Sequence, residues 1–598
     1  MRPALNLYSI TCPRVIRHSA FKRVNAQLHS LRLLPVSRCF STSTAPPPSR
    51  TLATMSDRPH QFMNTSGETD PVWVRHMPYA HYPHFPTLEE NVETEVCIVG
   101  AGIAGISIAY ELVTRGQRVT MLEARNVLSG ETGRTSGHLA NALDDGYTEI
   151  AKKHGRKGAQ AAADSHTWAI HRVGEIARHL HLDCEYRTLP AYEISQYPRD
   201  GETAHSHAAE VRELQQEVEF AQGLGLAAQF HAGRAVRGWE GAVDQRDAAV
   251  FQGQATFHPT KYLVGVLEWL RQQPNFQCYT GTRMMSSEEE QDGVRVQTAG
   301  GHTVTAAALV QATCVPLQKL SVIAEMEYMR TYCIAIRIPK GSVEDCLLYD
   351  AAEAYKYVRF TACDETDDYL VIGGCDHKVG QERTAGRFDE LEGWVRERFP
   401  QAGAVDYRWS GQIFEPVDYM AFIGKNQGLN HTYIVTGDSG NGLTHGVLAG
   451  KLIADEITGV ENPWADLYNP NRMKSIAKSM PSMLKHDLQI NAQYKRWMQS
   501  DITDIEDLAP CSGGVMKENP ATPVAVYKDE HGKAHKFSAI CPHMKAVLSW
   551  NETEKSWDCP VHGSRFSCDG VCIEGPAKAN LTPMDEFAKQ AQRAQETM

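Results

Sequence analysis

The stretch TEVCIVGAGIAGISIAYELVTRGQRVTMLEAR, residues 94–125, limits the fold more than any other part of the chain. It begins with a short apolar run typical of a buried parallel strand, continues as an apolar-striped helix, and ends in a second strand at Glu123. Gly100, Gly102 and Gly105 stand in G-x-G-x-x-G spacing before the helix. This spacing allows a tight turn, close approach of a pyrophosphate and close helix–strand packing, while the acid can accept ribose hydroxyls. The pattern predicts a dinucleotide site, with an ordinary α/β turn as the alternative.

Two later segments identify the dinucleotide. GETGRTSGHLAN at 130–141 is a second Gly/Ser/Thr-rich loop, and TYIVTGDSGNGLTHGVLAGKLIADEITG at 432–459 predicts a strand, a glycine-rich loop and a helix. Together with the first segment, they resemble the FAD-dependent D-amino-acid oxidase family, which includes glycine and sarcosine oxidases, over roughly residues 90–470. The resemblance implies FAD as cofactor, an α/β Rossmann-type FAD-binding domain, and an α+β substrate domain built on an antiparallel sheet.

By this resemblance, the FAD-binding residues lie in the glycine-rich segments. They are Gly100, Gly102, Gly105, Glu123, Arg125, Thr132, Thr135, Ser136, Gly437, Asp438, Gly440, Gly442, Leu443 and Thr444. The helix that follows the late loop would direct its N-terminus toward the flavin ring, where negative charge develops on reduction.

Two residues of the middle region are the candidates for contact with substrate. Arg359, in YVRF, can hold a carboxylate in a bidentate manner, and a structural ion pair is the alternative. His377, in GGCDHKVG, is the other candidate, with a hydrogen-bonded histidine near a turn as the alternative. The sequence does not otherwise identify catalytic residues.

A second chemistry is encoded near the C-terminus. The pattern is Cys541-x-His543, fifteen intervening residues, and Cys559-x-x-His562. Each loop combines one Cys with one His, which is typical of a Rieske [2Fe–2S] cluster, in which two thiolates bind one iron and two imidazoles the other. Structural zinc is the alternative, although zinc sites more often pair two cysteines within a loop. The predicted domain is small and all-β.

Two positions depart from many Rieske domains. Those domains carry two further cysteines that join the cluster loops by a disulfide, and by resemblance these would fall at Ala546 and Val561. We therefore expect loops held by packing and hydrogen bonds. The missing bridge resembles the ferredoxin and ring-hydroxylase types, which implies a potential in the lower part of the Rieske span of roughly −150 to +300 mV.

Length and charge exclude some classes of protein. A chain of 598 residues is too long for one core. The net charge of −12 argues against a nucleic-acid partner, since such proteins rely on basic patches. There is no run of about 18 apolar residues, so no transmembrane segment is predicted. The fifteen scattered cysteines indicate reduced thiols plus a metal site.

The first 56 residues contain no Asp or Glu and are rich in Arg, Ser and Thr, the composition of a mitochondrial presequence. A disordered basic tail is the alternative, and Met55 offers a second start that would give a cytoplasmic form. The predicted organisation has four parts. They are a presequence with a Pro-rich tail (1–55), an FAD-dependent oxidoreductase (56–470), a helical linker (471–504) and a Rieske domain (505–598).

FAD and a [2Fe–2S] cluster on one chain predict an internal electron relay. A flavin takes two electrons from a substrate and releases them singly, whereas the cluster carries one electron at a time. The resemblance implies a small-molecule substrate, an amine or an amino-acid-like compound, and an electron acceptor or donor protein outside the chain. Three alternatives stay open: a flavin/Rieske reductase component that supplies a partner, a Rieske oxygenase, and a non-enzymatic redox scaffold.

Overall fold

A computed structural model provides the structure. The described residues are 69–199, 204–233, 236–317, 322–352, 354–472, 475–479, 489, 492–519 and 522–585. The predicted presequence lies outside them, so residues 1–55 carry no structural account. Below, the N-terminal part denotes the described residues up to 479, and the C-terminal part those from 492 to 585.

The strands are numbered along the chain. They are β1 Val92–Val99, β2 Val119–Leu122, β3 His138–Leu139, β4 Arg187–Ile194, β5 Ala228–His231, β6 Ala248–Thr256, β7 Phe276–Tyr279, β8 Met284–Glu290, β9 Gly293–Thr298, β10 Thr303–Cys314, β11 Met326–Pro339, β12 Leu347–Asp350, β13 Lys356–Ala362, β14 Asp367–Lys378, β15 Val405–Pro416, β16 Phe422–Lys425, β17 Thr432–Thr436, β18 Ser512–Asn519, β19 Thr522–Lys528, β20 Ala534–Ser538, β21 Ser549–Asn551, β22 Ser556–Asp558, β23 Arg565–Ser567 and β24 Cys572–Glu574.

The helices lie almost wholly in the N-terminal part. They are α1 Ile103–Thr114, α2 Tyr147–His179, α3 Ala204–Gly223, α4 Pro259–Leu270, α5 Arg387–Arg398, α6 Gly442–Ile457 and α7 Ala465–Tyr468. Short 3₁₀ helices occur at Val72–Arg75, Tyr79–His81, Glu131–Arg134, Val322–Glu325, Tyr494–Met498 and Ile505–Asp507. Throughout the described ranges, no helix has the length and apolar character needed to cross a membrane.

The first sheet confirms the predicted Rossmann-type arrangement. Its order is β16-β17-β10-β1-β2-β7, and the pairs from β17 to β7 are all parallel. β2 is buried at every position and the second half of β1 is buried throughout, as expected for central parallel strands covered on both faces. Because these strands run parallel, their carboxyl ends meet at one edge of the sheet. Helices α1 and α6 pack on this sheet.

The second sheet confirms the predicted substrate sheet. Its order is β15-β11-β14-β13-β12-β4-β6-β3, with β5 paired to β6. Its pairs are antiparallel except β12 with β4, which run parallel. An aliphatic and aromatic core that includes Tyr332, Ile334 and Ile372 covers one face. Tyr357 of β13 belongs to a different cluster and lines the cavity described below.

The C-terminal part is the predicted small β domain. It consists of two antiparallel sheets, β18-β19-β20 and β21-β22-β23-β24. Strands β19 and β20 form a hairpin, and the Asp529 carboxylate accepts the Lys533 amide at 2.9 Å in the turn. Trp557, on β22, is fully buried, and its ring lies 4.8 Å from that of Trp550. Both pairs of predicted cluster ligands therefore sit on loops held by short strands.

A buried carboxylate joins the two parts. Glu554, at the turn between β21 and β22, is fully buried. Its Oε1 lies 3.6 Å from an Arg134 nitrogen and 3.7 Å from an Arg330 nitrogen. The Thr69 hydroxyl, at 3.0 and 3.1 Å, and the Ser410 hydroxyl also donate to it. Because an unpaired buried charge is strongly destabilising, this cluster specifies how the C-terminal part is seated.

Within the predicted helical linker, 475–479 is helical and Tyr494–Met498 forms a 3₁₀ helix, residues 499–504 are not helical, and 480–488 lies outside the described residues. Its end contacts the first cluster loop directly. The Tyr494 hydroxyl donates to Met544 O at 3.0 Å, and the Trp497 indole donates to Lys545 O at 3.1 Å. The segment therefore supports the cluster loop in addition to connecting the two parts.

Candidate active site and cluster site

A cavity opens where the parallel strands of the first sheet end. Its lining includes one residue at or just beyond the end of each of four strands: Val99 for β1, Glu123 for β2, Cys314 for β10 and Thr436 for β17. In open α/β sheets ligands bind at this edge. The structure brings most of the predicted FAD residues together here. Those that line the cavity are Gly100, Gly102, Glu123, Arg125, Thr132, Thr135, Ser136, Gly437, Asp438, Gly440, Gly442 and Leu443.

At the nucleotide end, backbone amides fix an acidic side chain. The Glu123 carboxylate accepts the amides of Ala101, at 3.0 Å, and Arg125, at 2.9 Å. A carboxylate has about four acceptor positions, so it retains capacity for ribose hydroxyls. Thr132 accepts the Ile103 amide at 3.0 Å, at the first turn of α1. These groups fit the adenosine and pyrophosphate of FAD.

Two of the predicted FAD residues, Gly105 and Thr444, lie outside the cavity lining, and Gly105 has the packing role expected of the third glycine in the motif. A Cβ atom on Gly105 would collide with Gly100 O, so Gly105 serves the close contact between α1 and β1. Thr444 is buried, donates to Asn441 O at 3.1 Å, and shares a hydrogen bond of 2.8 Å with His166 Nδ1. Thr444 therefore holds the first turn of α6 in place and does not face the cavity.

The late glycine-rich loop places a helix N-terminus at the other end of the cavity. Helix α6 begins at Gly442, and its N-cap Asn441 lines the cavity. Burial raises the pKa of Asp438 to about 6, and its carboxylate approaches the Phe414 amide at 3.4 Å. The positive end of a helix dipole suits a ring that gains negative charge. This end of the cavity therefore fits the flavin of FAD.

Beside the flavin end lies a chamber that the sequence did not reveal. We call it the tyrosine chamber, and its walls are His138, Asp144, Tyr349, Tyr355 and Tyr357. The His138 ring lies 5.5 Å from that of Tyr349 and 5.6 Å from that of Tyr357. The rings of Tyr355 and Tyr357 are 5.8 Å apart. Four rings therefore form one continuous aromatic wall.

A carboxyl group closes the chamber. Asp144 Oδ2 accepts the Tyr355 hydroxyl at 3.2 Å and lies against Gly440, where a Cβ atom would collide with it. Burial raises the pKa of Asp144 to about 8, and the neighbouring Asp145 adds to the rise. The acid thus sits directly beside the loop that fits the flavin.

The structure corrects both substrate-contact candidates. Arg359 is fully buried beyond the cavity wall and donates to carbonyl oxygens of Gly137, at 2.7 Å, and Phe257, at 2.9 Å. Its guanidinium lies over the Trp73 ring at 5.2 Å. Burial lowers its pKa to about 9. Arg359 is therefore a structural cation, as in the alternative interpretation, but its partners are carbonyl groups and not a carboxylate.

His377 lies in the second sheet and also outside the cavity lining. Its ring stacks on Tyr332, with centroids 5.7 Å apart, and its Nε2 is 3.1 Å from the Tyr332 hydroxyl. Its Nδ1 is 3.0 Å from Lys378 O. Burial lowers its pKa to about 4. His377 is therefore a neutral, hydrogen-bonded core residue, as in the alternative interpretation.

The structure brings the four predicted cluster ligands together. The thiols of Cys541 and Cys559 are buried and within hydrogen-bonding reach, and that contact lowers the pKa of Cys541 to about 7. The rings of His543 and His562 face each other with centroids 5.0 Å apart. The arrangement places two sulfurs on one side and two imidazoles on the other.

This pairing fits a two-iron cluster better than a single ion. A Rieske cluster distributes its four protein ligands two to each iron, with two thiolates on one iron and two imidazoles on the other. The two cysteines and the two histidines are paired in this way, whereas structural zinc sites more often pair two cysteines within a loop.

One glutamine connects the cavity with the cluster loop. Gln412, on β15, lines the cavity, and its Nε2 donates to Gly563 O at 2.9 Å. Gly563 directly follows His562, whose ring lies edge-to-face on Tyr328 at 5.9 Å. The segment after β24 also lines the cavity, through Gly575 and other residues. The cluster site therefore abuts the flavin site.

Comparison with known families agrees with this architecture. The family model described as FAD dependent oxidoreductase matches residues 95–456, which is more than half of the chain. The model described as Rieske [2Fe-2S] domain matches residues 503–587.

Relatives in bacteria share one or both parts. The "Putative Rieske 2Fe-2S iron-sulfur protein YhfW" of Bacillus subtilis is 27% identical over 84% of this chain and 96% of its own length. The gamma-glutamylputrescine oxidoreductase of Escherichia coli is 26% identical over 63% of this chain and 87% of its own. Among solved structures, glycine oxidase from Geobacillus kaustophilus matches the fold with a TM-score of 0.51 at 18% identity, over 64% of this chain and 99% of that one.

Proposed function

Because the chain belongs to the FAD dependent oxidoreductase family and carries a Rieske [2Fe–2S] domain, we propose that it oxidises a small amine or amino-acid-like compound at a C–N bond. The electrons then leave singly through the cluster to an external acceptor. The observation that carries the proposal is the Gln412–Gly563 hydrogen bond, which links the cavity wall to the cluster loop.

Bound FAD supplies the two-electron oxidation and the subsequent one-electron release. Glu123 and the first turn of α1 would hold its nucleotide half, and the N-terminus of α6 would stabilise charge on its ring. The tyrosine chamber holds the substrate beside that ring. A deprotonated Asp144 is placed to accept a proton from a bound ammonium group, which leaves the nitrogen lone pair available.

The E. coli relative is named as an oxidoreductase of gamma-glutamylputrescine, which supports an amine as the substrate here. The presequence predicted from composition would place the protein in the mitochondrial matrix, and use of Met55 would give a cytoplasmic form. A compartment that keeps thiols reduced suits cluster loops that lack a disulfide.

Anaerobic rapid mixing of the holoprotein with amines, amino acids and NAD(P)H tests the proposal. A substrate is expected to bleach the flavin absorbance first, and the [2Fe–2S] bands should follow. Reduction of the cluster before the flavin would contradict the relay. Reduction of both centres by NAD(P)H, with no effect of any amine or amino acid, would instead establish a reductase component.

A further inference from the structure

We infer that the tyrosine chamber recognises the ammonium group of a substrate that carries no carboxylate on the adjacent carbon. The inference rests on the proposed function, because it selects among amine and amino-acid substrates of the same site. It follows from the aromatic walls, from the single acid at the end of the chamber, and from the positions of the cations that line the cavity.

The aromatic walls suit a cation. Val358 O accepts from His138 Nε2 at 3.2 Å, so this nitrogen carries the ring proton and Nδ1 accepts the Ser136 hydroxyl at 2.9 Å. Burial, with a contribution from Arg359, lowers the pKa of His138 to about 3, so the ring is neutral and adds no repulsion. The tyrosine rings offer negative faces, which attract an ammonium group desolvated within about 6 Å of them.

The charge around the acid also suits a cation. Besides Asp145, the charged groups that act on Asp144 are Glu415 and Asp376, and all three are acidic. The Tyr355 hydroxyl donates a hydrogen bond that stabilises its charged form. Arg359 acts on His138 from behind the wall and is held by carbonyl groups.

A substrate carboxylate would find no comparable partner in the chamber. The cavity-lining cations of the described residues lie at the nucleotide end or near the C-terminal part, and each donates to a main-chain carbonyl. They are Arg125 to Ser129 O at 3.0 Å, Arg134 to Ser410 O at 2.5 Å, Arg283 to Cys572 O at 3.2 Å, and Lys578 to Met285 O at 2.9 Å. The carboxylate of an α-amino acid would instead approach Asp144 and its acidic neighbours.

A matched pair of ligands tests the inference without turnover. Tetramethylammonium and glycine betaine share a quaternary ammonium group, and only betaine carries a carboxylate on the adjacent carbon. Their binding to the holoprotein is measured by perturbation of the flavin spectrum and by calorimetry at pH 8.5. We expect tetramethylammonium to bind about 10-fold more tightly than betaine, a difference of about 1.4 kcal/mol.

Variants locate the binding. Asp144→Asn should weaken tetramethylammonium binding about 10-fold, as expected for loss of a desolvated charge partner. Glu149→Gln is the matched control, because Glu149 is a surface residue paired with Lys152 and should leave binding unchanged. Tyr355→Phe, which keeps the ring, should bind more tightly than Tyr355→Leu. This pair keeps the inference testable if Asp144→Asn fails to fold.

The outcomes separate this inference from the proposed function. The inference is overturned if betaine binds more tightly than tetramethylammonium. It is also overturned if Tyr355→Phe and Tyr355→Leu bind tetramethylammonium equally well. Flavin reduction by α-amino acids alone also overturns it while the proposed oxidation stands. Selective, Asp144-dependent binding of tetramethylammonium supports the inference even where no amine reduces the flavin, in which case the proposed function fails.

Discussion

At the scale of single residues, the buried carboxyl of Asp144 lowers the folding stability of the chain once it is ionised. Its pKa is raised to about 8, whereas an unfolded Asp titrates near 4. Between these values the folded chain keeps a proton that the unfolded chain releases. The carboxyl therefore leaves stability intact below about pH 4 and lowers it progressively as the pH rises toward 8.

Asp144→Asn should remove this pH-dependent loss. The variant is expected to gain unfolding free energy relative to the parent by about 1 kcal/mol per pH unit between pH 5 and 7. Thermal unfolding of both holoproteins at pH 5, 6, 7 and 8 measures the difference. Glu149→Gln should show no such slope. A constant or shrinking difference would mean that Asp144 is ionised at low pH and is solvated more than its burial indicates.

Short motifs in the sequence specify the glycines of the cavity and the four predicted cluster ligands, and the structure brings the four ligands together. The sequence did not predict the tyrosine chamber. Tyr355, Tyr357 and Arg359 alternate along β13 and its entry, and a period of two places them on one face. The sequence cannot show that Trp73, from the distant N-terminal arm, covers Arg359 and leaves the tyrosines to face the cavity. Asp144, in a polar turn, resembles an ordinary loop residue.

At the scale of elements, the cluster loops are held without a disulfide, as the sequence predicted. Ala546 and Val561 are both buried. Main-chain hydrogen bonds close each loop, from the Cys541 amide to Ala546 O at 2.9 Å and from the Cys559 amide to Ser564 O at 2.8 Å. The contacts from the predicted linker and the buried site that surrounds Glu554 both depend on tertiary packing. No local sequence pattern encodes them.

The second cluster loop also has a tight fit against the N-terminal part. Gly563 has φ of +70°, and a Cβ atom there would lie 2.5 Å from Gln412 Nε2 and 3.1 Å from the Tyr328 ring. Gly563→Ala should push the loop away from the cavity wall. We expect slower electron transfer from flavin to cluster, by about 10-fold or more, with flavin reduction by substrate unchanged. Rapid mixing at flavin and [2Fe–2S] wavelengths measures the two steps separately.

Gly532→Ala is the matched control for this substitution. Gly532 also has positive φ, of +80°, but lies in the β19–β20 turn with nothing within 4 Å of an added Cβ. It imposes the same backbone strain without a collision. Equal slowing in both variants would attribute the effect to general destabilisation of the C-terminal part. An unchanged rate of electron transfer from flavin to cluster in Gly563→Ala would show that the Gln412 contact has no part in that transfer.

At the scale of the whole molecule, the described residues belong to one compact unit, so the cluster site and the flavin cavity belong to a single body. Glu554 seats the C-terminal part in the N-terminal part, and Gln412 joins the cavity to the cluster loop. A Rieske domain seated in this way need not swing to collect electrons from the flavin. In the proposed relay, an external acceptor would use the domain's remaining exposed surface, where Met544, beside His543, is an exposed apolar side chain.

The potential of the cluster decides which acceptors this arrangement can serve. Two imidazoles raise a Rieske potential, while hydrogen bonds to sulfur and solvent exposure adjust it within roughly −150 to +300 mV. Because Ala546 and Val561 stand where a disulfide would join the cluster loops, the cluster should titrate in the lower part of that range. An anaerobic titration of the full chain, followed by electron paramagnetic resonance, gives the midpoint, and a flavin-free preparation separates the cluster from the flavin. A midpoint near the upper limit would show that the buried loop environment outweighs the missing disulfide, and the acceptor would then have to be a stronger oxidant.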